Sequence, residues 1–414
     1  MAAAPPTLTC SSCGCAQPWS LAGACPRCGG LIEVSYDLAR ARIGDPDQPT
    51  MARFRDVLPL RSSSSIFDGG EGRTRCLYAR DLGRAIGLDA LWVKVEADNP
   101  TRTVKDRQAS VVLAALRELG VREFVNSSTG NAATSMARVM SRFPEMTMHT
   151  FVGDEFLDRV AHFDGPNVHL YWTPEESFVG AGEAAVWFAT ESGLVRDDGF
   201  FFFARREGLK TVYLEAALEV RGEIEYYVQS VSSAIGVFAA NRAARELRTM
   251  GVTRTLPKLV CVQESSCAPM ATAFAQGHER IDTADIVRRP RGLAKATHRG
   301  DPSRVYPIIR QMVLESGGTM VDAGEEAIVA VRALARETEG LEICAASALA
   351  IARTAALARS GRIERGAVVL LNLTGGDRPP SDRPADFVVA RDGRAWRVTP
   401  AAVETSTRAS GAGV

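Results

Sequence analysis

Two short segments carry residues whose types and order could do chemistry, Asn99-Pro-Thr-Arg-Thr-Val-Lys105-Asp-Arg107 and Ser127-Ser-Thr-Gly-Asn131. The first sets a lysine where a turn becomes a helix. An amine is a nucleophile only when deprotonated, and a positive helix end, partial burial and the neighbouring Arg102 and Arg107 would lower its pKa toward neutrality. Lys105 is the candidate catalytic nucleophile. The second segment sets small hydroxyls, a glycine and an amide at another helix start, where backbone N–H groups can face an anion. Singly, such a lysine reads as a solvated first-turn residue and such a run as a capped helix entry. The ordered pair is the stronger signal.

In this order the segments resemble the threonine synthase and cysteate synthase-like family, within the tryptophan synthase β-chain superfamily of fold-type II pyridoxal-phosphate enzymes. The family's lysine segment runs Asn-Pro-Thr-Gly-Ser-Phe-Lys-Asp-Arg. This chain keeps Asn99, Pro100, Thr101, Lys105, Asp106 and Arg107, and departs at Arg102, Thr103 and Val104. The resemblance implies that Lys105 holds pyridoxal 5'-phosphate and that Asn131 lies beside the cofactor ring, donating to its phenolate oxygen. It implies that Ser127, Ser128, Thr129 and Gly130 bind the carboxylate of an amino-acid substrate. Arg102 and Arg107 are candidates for a substrate phosphate, since the guanidinium fork suits that anion. Arg107 could equally be a structural ion pair.

A phosphorylated cofactor also needs a cradle and a partner for its ring nitrogen. The run Ser232-Ser233-Ala234-Ile235-Gly236 leads into a long helix, so successive N–H groups and the helix dipole could hold a dianion. Relatives carry several glycines here; this chain keeps Gly236 and replaces others with Ser232 and Ala234. Thr374, in Leu371-Asn-Leu-Thr-Gly-Gly-Asp377, follows a buried strand at its carboxyl end, where α/β folds collect ligands. By the resemblance its hydroxyl faces the pyridine nitrogen. The segments Tyr226 to Ser233, Gly340 to Ala348 and Leu370 to Gly376 are more similar to cysteate synthase than to threonine synthase. The implied activity is β-replacement or elimination on a phosphorylated amino acid, O-phosphoserine with a nucleophile such as sulfite. The alternatives are threonine synthase chemistry on O-phosphohomoserine, or a non-catalytic relative acting as a binding module.

A second constellation lies at the start of the chain. Cys10-x-x-Cys13 and Cys25-x-x-Cys28, beside glycine and proline turn residues, present two thiolate pairs at tetrahedral zinc spacing. Cys15 competes with Cys13, and a disulfide pair or four free thiols is the alternative to a metal. The run Cys25-Pro-Arg-Cys28-Gly-Gly resembles the ribbon that opens many threonine synthase relatives, which implies a structural zinc.

Composition narrows the partners. Lys plus Arg equals Asp plus Glu at 49 each, which leaves no excess charge for general nucleic-acid or anionic-membrane binding. No stretch approaches about 18 uninterrupted apolar residues, and the first residues lack a basic region followed by an apolar core. A cytoplasmic homodimer acting on a small-molecule amino acid is expected. The cluster Arg288, Arg289 and Arg291 reads as a solvated face.

These residues need rigid elements to aim them. Leu91 to Glu96 alternates as a strand feeding the lysine loop, and apolar residues from Asp106 to Leu119 recur at helical spacing until Gly120. Phe124-Val125 reads as a buried strand, with a helix from Ala132 to Arg142. Strands follow at Met146 to Val152, Val168 to Tyr171 and Phe200 to Phe203, then helices at Val212 to Val220 and Val237 to Met250. Further strands are expected at Lys258 to Gln263 and Ala367 to Leu373. Strand, glycine turn, helix is the unit of a parallel sheet. The expected class is α/β, fold-type II, with two parallel-sheet αβα domains enclosing the cofactor cleft, preceded by a zinc ribbon. The expected boundaries are 1–40 for the ribbon, 41–108 with 205–385 for the large cofactor-binding domain, 109–204 for the smaller αβ domain and 386–414 for a tail. The last ten residues, Thr405 to Val414, read as mobile.

Overall fold

The computed structural model describes residues 3–393 and 395–401. The strands in chain order are β1 (Thr7–Cys10), β2 (Ala16–Gln17), β3 (Ile32–Ser35), β4 (Cys76–Tyr78), β5 (Ala90–Val95), β6 (Glu123–Ser127), β7 (Thr147–Gly153) and β8 (Val168–Thr173). They continue with β9 (Val195–Arg196), β10 (Tyr226–Ser230), β11 (Lys258–Glu264), β12 (Thr319–Ala323), β13 (Val368–Leu373), β14 (Phe387–Asp392) and β15 (Ala395–Pro400). They form a three-stranded sheet, β2-β1-β3, and two six-stranded sheets, β12-β11-β10-β13-β5-β4 and β15-β14-β8-β7-β6-β9.

The large sheet is parallel except for its short edge strand β4. A parallel strand covered on both faces must be apolar on both faces, and β13 is so: Val369 and Leu371 pack with Val93 and Val228, while Leu370 packs with Tyr227 and Leu259. The first group meets Leu349 and Ile351 of the helix Ala345–Arg359, and the second meets Val237 and Leu247 of the helix Ile235–Thr249. Each such side chain contributes about 1.5–3 kcal/mol relative to exposure.

The small sheet repeats the pattern. Val125, Phe151 and Tyr171 face Ala184 and Ala185 of the helix Phe178–Ser192, and Phe124, Met148 and Leu170 face the helix Asn131–Met140. Its outer strands correct the expectation of a tail from residue 386. The strands β14 and β15 pair antiparallel and β14 pairs parallel with β8, with Val389 buried and Phe387 stacked on Tyr171 at 4.7 Å between ring centroids. The expectation for Thr405 to Val414 lies outside the described residues.

The apolar run Phe200 to Phe203 is also not a strand. It is a 3-10 turn, Gly199–Phe201, entering the helix Phe203–Leu209. A short apolar run is equally suited to a buried helix, and here tertiary packing decides: Gly208 lies so close to the lysine helix that a Cβ would meet the Arg107 carbonyl oxygen at 2.7 Å. The amino-terminal ribbon docks on the large domain through backbone acceptors, Ile32 O taking Arg206 and Val34 O taking Arg242. Tyr36 donates to Glu207 at 2.7 Å. No helix among the described residues is long and apolar enough to cross a membrane.

Candidate active site

Lys105 opens the helix Lys105–Glu118, and the residues around it in sequence are the frame that holds it there. Asp106 accepts from the Thr101 backbone N–H and hydroxyl, each at 2.7 Å, and pins the turn before the helix. Asn99 accepts from Gly72 N–H at 2.9 Å and donates to Glu96 at 2.7 Å. The lysine loop is also zipped to the loop after β13. Thr103 bridges Gly375, and Val104 N–H donates to the Thr374 carbonyl at 3.0 Å.

Both arginines expected to meet a substrate phosphate lie elsewhere. Arg107 is fully buried, donating to Glu96 and Glu215 at 2.7 Å each, with Lys94 3.1 Å from Glu215. Burial alone would raise the Glu215 pKa, but Arg107 and Lys94 outweigh it and hold the carboxyl well below its ordinary range. This guanidinium is occupied by carboxylates and by the Thr74 and Thr211 hydroxyls, and it is absent from the walls of the cavity and recess around Lys105. Arg102 is exposed, sits at φ 57°, donates to the Asp377 carbonyl at 2.8 Å, and is absent from the walls of the cavity around Lys105.

That cavity, about 580 Å³, is walled by Lys105, Gln108, Ser127, Ser128, Thr129, Asn131, Ser232, Ser233 and Ile235, among others. It adjoins a recess of about 50 Å³ lined by Lys105, Asn131, Ser232, Ala234, Gly236 and Thr374. Four chain segments thus converge at the carboxyl ends of β6, β10 and β13 and at the lysine turn. Lys105 is half-buried, and its Nζ donates to Gln108 Oε1 at 3.2 Å. Desolvation, with the Arg205 guanidinium second, brings its pKa down to about 7. The neighbours expected to do this were Arg102 and Arg107; Arg205, distant in sequence, takes that part.

After β6 the chain turns through Gly130 at φ 107°, a conformation open to glycine, with Arg159 so close that a Cβ would meet its Cβ at 2.6 Å. Ser128 is spent on this turn, its Oγ accepting from Gly130 and Ala133 N–H at 3.1 Å each. The Ser127 and Thr129 hydroxyls line the cavity without being recorded in any side-chain hydrogen bond among the described residues. Asn131 Oδ1 accepts from Arg378 at 2.8 Å, which leaves its amide N–H groups for a ligand. Beyond β10, Ala234 takes the left-handed region at φ 55° and the helix Ile235–Thr249 begins, with Ser232 and Ser233 at its mouth. Gly236 admits Gln229, whose Nε2 would lie 2.4 Å from a Cβ.

These groups are of the kinds pyridoxal phosphate calls for: an amine whose pKa is lowered to about 7, a helix start with two hydroxyls suited to a phosphate, an oriented amide and a neutral hydroxyl at Thr374. Gln108, Arg205, Arg299 and Arg378 are site residues that the motifs did not reveal. The Arg205-Arg206 pair ending an apolar run was a usable signal, because two charges there must be paired or face a ligand. In the ribbon, the ligand atoms of Cys10, Cys13, Cys25 and Cys28 lie within 4.8 Å of one another, a set that could hold a metal ion. Cys15 is close too, 3.1 Å from Cys13 and 3.6 Å from Cys25 between sulfurs.

Comparison with known proteins points the same way. Residues 67–375 match the family described as pyridoxal-phosphate dependent enzyme. The chain is 27% identical over 383 residues to cysteate synthase of Methanosarcina mazei, covering 89% of this chain and 91% of the relative. It is 27% identical over 360 residues to threonine synthase of Methanocaldococcus jannaschii, covering 84% and 86%. Among solved structures, the processed form of threonine deaminase isoform 2 from Solanum lycopersicum is similar with TM-score 0.61 at 17% identity, covering 83% of this chain and 94% of that one. Maize serine racemase is similar with TM-score 0.61 at 19% identity, covering 74% and 89%.

Proposed function

The chain belongs to the pyridoxal-phosphate dependent enzyme family, in its fold-type II architecture, and from that premise we propose that it replaces or eliminates phosphate on an amino acid, with O-phosphoserine as substrate and sulfite as the incoming nucleophile. The observation that carries the reading is Lys105, an amine with a pKa of about 7 at the edge of a cavity that also presents Ser127, Thr129 and Asn131.

Lys105 would hold pyridoxal phosphate, which when bound would supply an electron sink for charge developing at the substrate's Cα. The chain's own residues do the rest. Ser127 and Thr129, with the N–H groups at the start of the helix Asn131–Met140, hold the substrate carboxylate. Asn131, oriented by Arg378, would donate from its amide to the ring oxygen, and Ser232 to Gly236 would hold the cofactor phosphate. The Thr374 hydroxyl would be a neutral partner for the ring nitrogen, which would favour elimination and replacement over transamination. Lys105 Nζ, freed once the substrate's amine takes its place on the cofactor and steered by Gln108, would take the proton from Cα. The Cβ–O bond would break with phosphate leaving on the bonding pair, the nucleophile would add at Cβ with its own electron pair, and Lys105 Nζ would return the proton to Cα.

Threonine synthase chemistry, with O-phosphohomoserine and water, is the second reading, because a threonine synthase matches this chain at the same 27% identity. Measuring phosphate release from both phosphorylated amino acids, with and without sulfite, tests the two together. Sulfite-dependent formation of a sulfonate from O-phosphoserine is the expected result, and release only from O-phosphohomoserine overturns it. The reading includes a structural zinc on Cys10, Cys13, Cys25 and Cys28, a cytoplasmic location and a homodimer. Light scattering on the purified protein tests the last.

A further inference from the structure

The wall of the cavity is rich in guanidinium groups, Arg196, Arg205, Arg299 and Arg304, and all but one are engaged. Arg205 donates to Asp197 at 2.7 Å, Arg196 pairs with Asp198, and Arg304 lies 3.3 Å from the same Asp198. Arg299 makes no recorded ion pair or side-chain hydrogen bond among the described residues, and its Nε is buried without a partner. The nearby carboxylate of Asp301 is occupied by its own turn, accepting from Ser303 N–H at 3.0 Å and Ser303 Oγ at 2.6 Å.

The chain holds this side chain in place from both sides. His298, fully buried, meets Glu264 at 2.7 Å at the carboxyl end of β11, and Glu264 also accepts from Leu293 and Ala294 N–H at 3.0 and 3.1 Å. Gly300 is pressed against Val287, where a Cβ would sit 1.7 Å from the carbonyl oxygen, and the Arg299 guanidinium lies 5.6 Å from the Phe178 ring centroid. Arg299 as a whole is half-buried, but its Nε is not in contact with solvent, and each unsatisfied buried donor in a folded protein calls for an explanation. A guanidinium set between constrained neighbours and lining a substrate-sized cavity is explained by an anion that arrives with the ligand. The planar fork selects a tetrahedral oxyanion or a carboxylate.

We propose that Arg299 is a substrate-binding residue that receives a tetrahedral oxyanion, either the phosphate that leaves or the sulfite that replaces it. This rests on the function proposed above, in which both groups are oxyanions. The test begins with binding of inorganic phosphate to the cofactor-loaded protein, by calorimetry and by thermal shift. Arg299→Ala weakens phosphate binding about 30-fold or more, the lower end for loss of a buried charge partner, and abolishes the phosphate-induced rise in Tm, while the exposed-site control Arg288→Ala changes neither. Arg299→Lys retains part of the binding and guards against a misfolded alanine variant. Kinetics then separate the two sources: a fall in kcat/KM for elimination from O-phosphoserine assigns the leaving phosphate, and a rise in KM for sulfite alone assigns the nucleophile. Equal phosphate binding by the parent and Arg299→Ala overturns the inference, as does O-phosphoserine turnover with unchanged kcat/KM and unchanged KM for sulfite. Arg299-dependent phosphate binding without turnover of any phosphorylated amino acid overturns the function proposed above and leaves the anion site standing.

Discussion

Arg378 Nη2 donates to Asn131 Oδ1 at 2.8 Å, and the same guanidinium donates to the Thr101 carbonyl at 2.9 Å. One side chain from the loop after β13 therefore orients the Asn131 amide, proposed above to face the cofactor ring, and braces the turn that carries Lys105. Arg378→Met should weaken cofactor affinity by about 1.5–3 kcal/mol, the range for a hydrogen bond from a charged group, with thermal stability of the cofactor-free protein changing less. Fluorescence titration with pyridoxal phosphate measures it, and unchanged affinity would leave Asn131 oriented by something else.

Lys105 sets a pH dependence whose sign follows from its environment. Its pKa falls from 10.5 to about 7 in the folded protein. Between those values the unfolded chain holds the proton and the folded chain does not, so stability of the cofactor-free protein rises with pH from about 7 toward 10. Lys105→Met should lack that rise, and comparing chemical denaturation of the two proteins across this range reads it directly. Borohydride reduction of the loaded protein should fix the cofactor to Lys105; a different lysine in the peptide map would displace the assignment.

Arg107→Ala should cost about 3–5 kcal/mol of stability, because it strands Glu96 and Glu215 as buried charges that have lost their guanidinium. Urea denaturation checks the loss. Variants that fold, such as Arg107→Lys, should show the same preference between phosphorylated and unphosphorylated amino acids as the parent, since Arg107 faces no ligand. A changed preference would return it to the substrate site.

The ribbon should carry about one zinc per chain, the load of one four-cysteine site. Cys25→Ser should release it, because Cys25 is buried within the cluster, and should leave the cofactor spectrum intact. Metal analysis with a parallel Cys15→Ser variant separates the ligand sets: full retention in Cys25→Ser and loss in Cys15→Ser would exchange the two.

What could be read from the chain alone was local. Lys105, Asn131 and Ser232 to Gly236 sit at turn-to-helix or strand-to-helix junctions and Thr374 follows the carboxyl end of β13, places whose chemistry is written within a few neighbouring residues, and they line one cavity and its recess. Arg378 and Asn131 are 247 residues apart, and no spacing rule links them. Arg107 and Arg102 illustrate a different limit. A guanidinium suits a phosphate and a pair of carboxylates equally well, and only burial decides between them. Arg102 stands at φ 57°, where the related motif has glycine, so that position answers to backbone conformation and not to a ligand. The strand pair after residue 386 escaped because its strands are mostly exposed: Val389 and Trp396 alone are buried among its described residues, too few for clear alternation.

That strand pair also sets an order of assembly. On a ribosome the strands β6 to β9 emerge before most of the large sheet exists, yet their sheet gains its outer two strands only when residues 387–400 follow β13 out of the tunnel. Until then β8 presents an unpaired backbone edge, open to whatever strand reaches it first. The early strand β5 waits similarly for β13, its partner in the large sheet. Neither half of the cleft can be completed by the segment that begins it, so the nascent chain spends most of its synthesis holding two unfinished sheets.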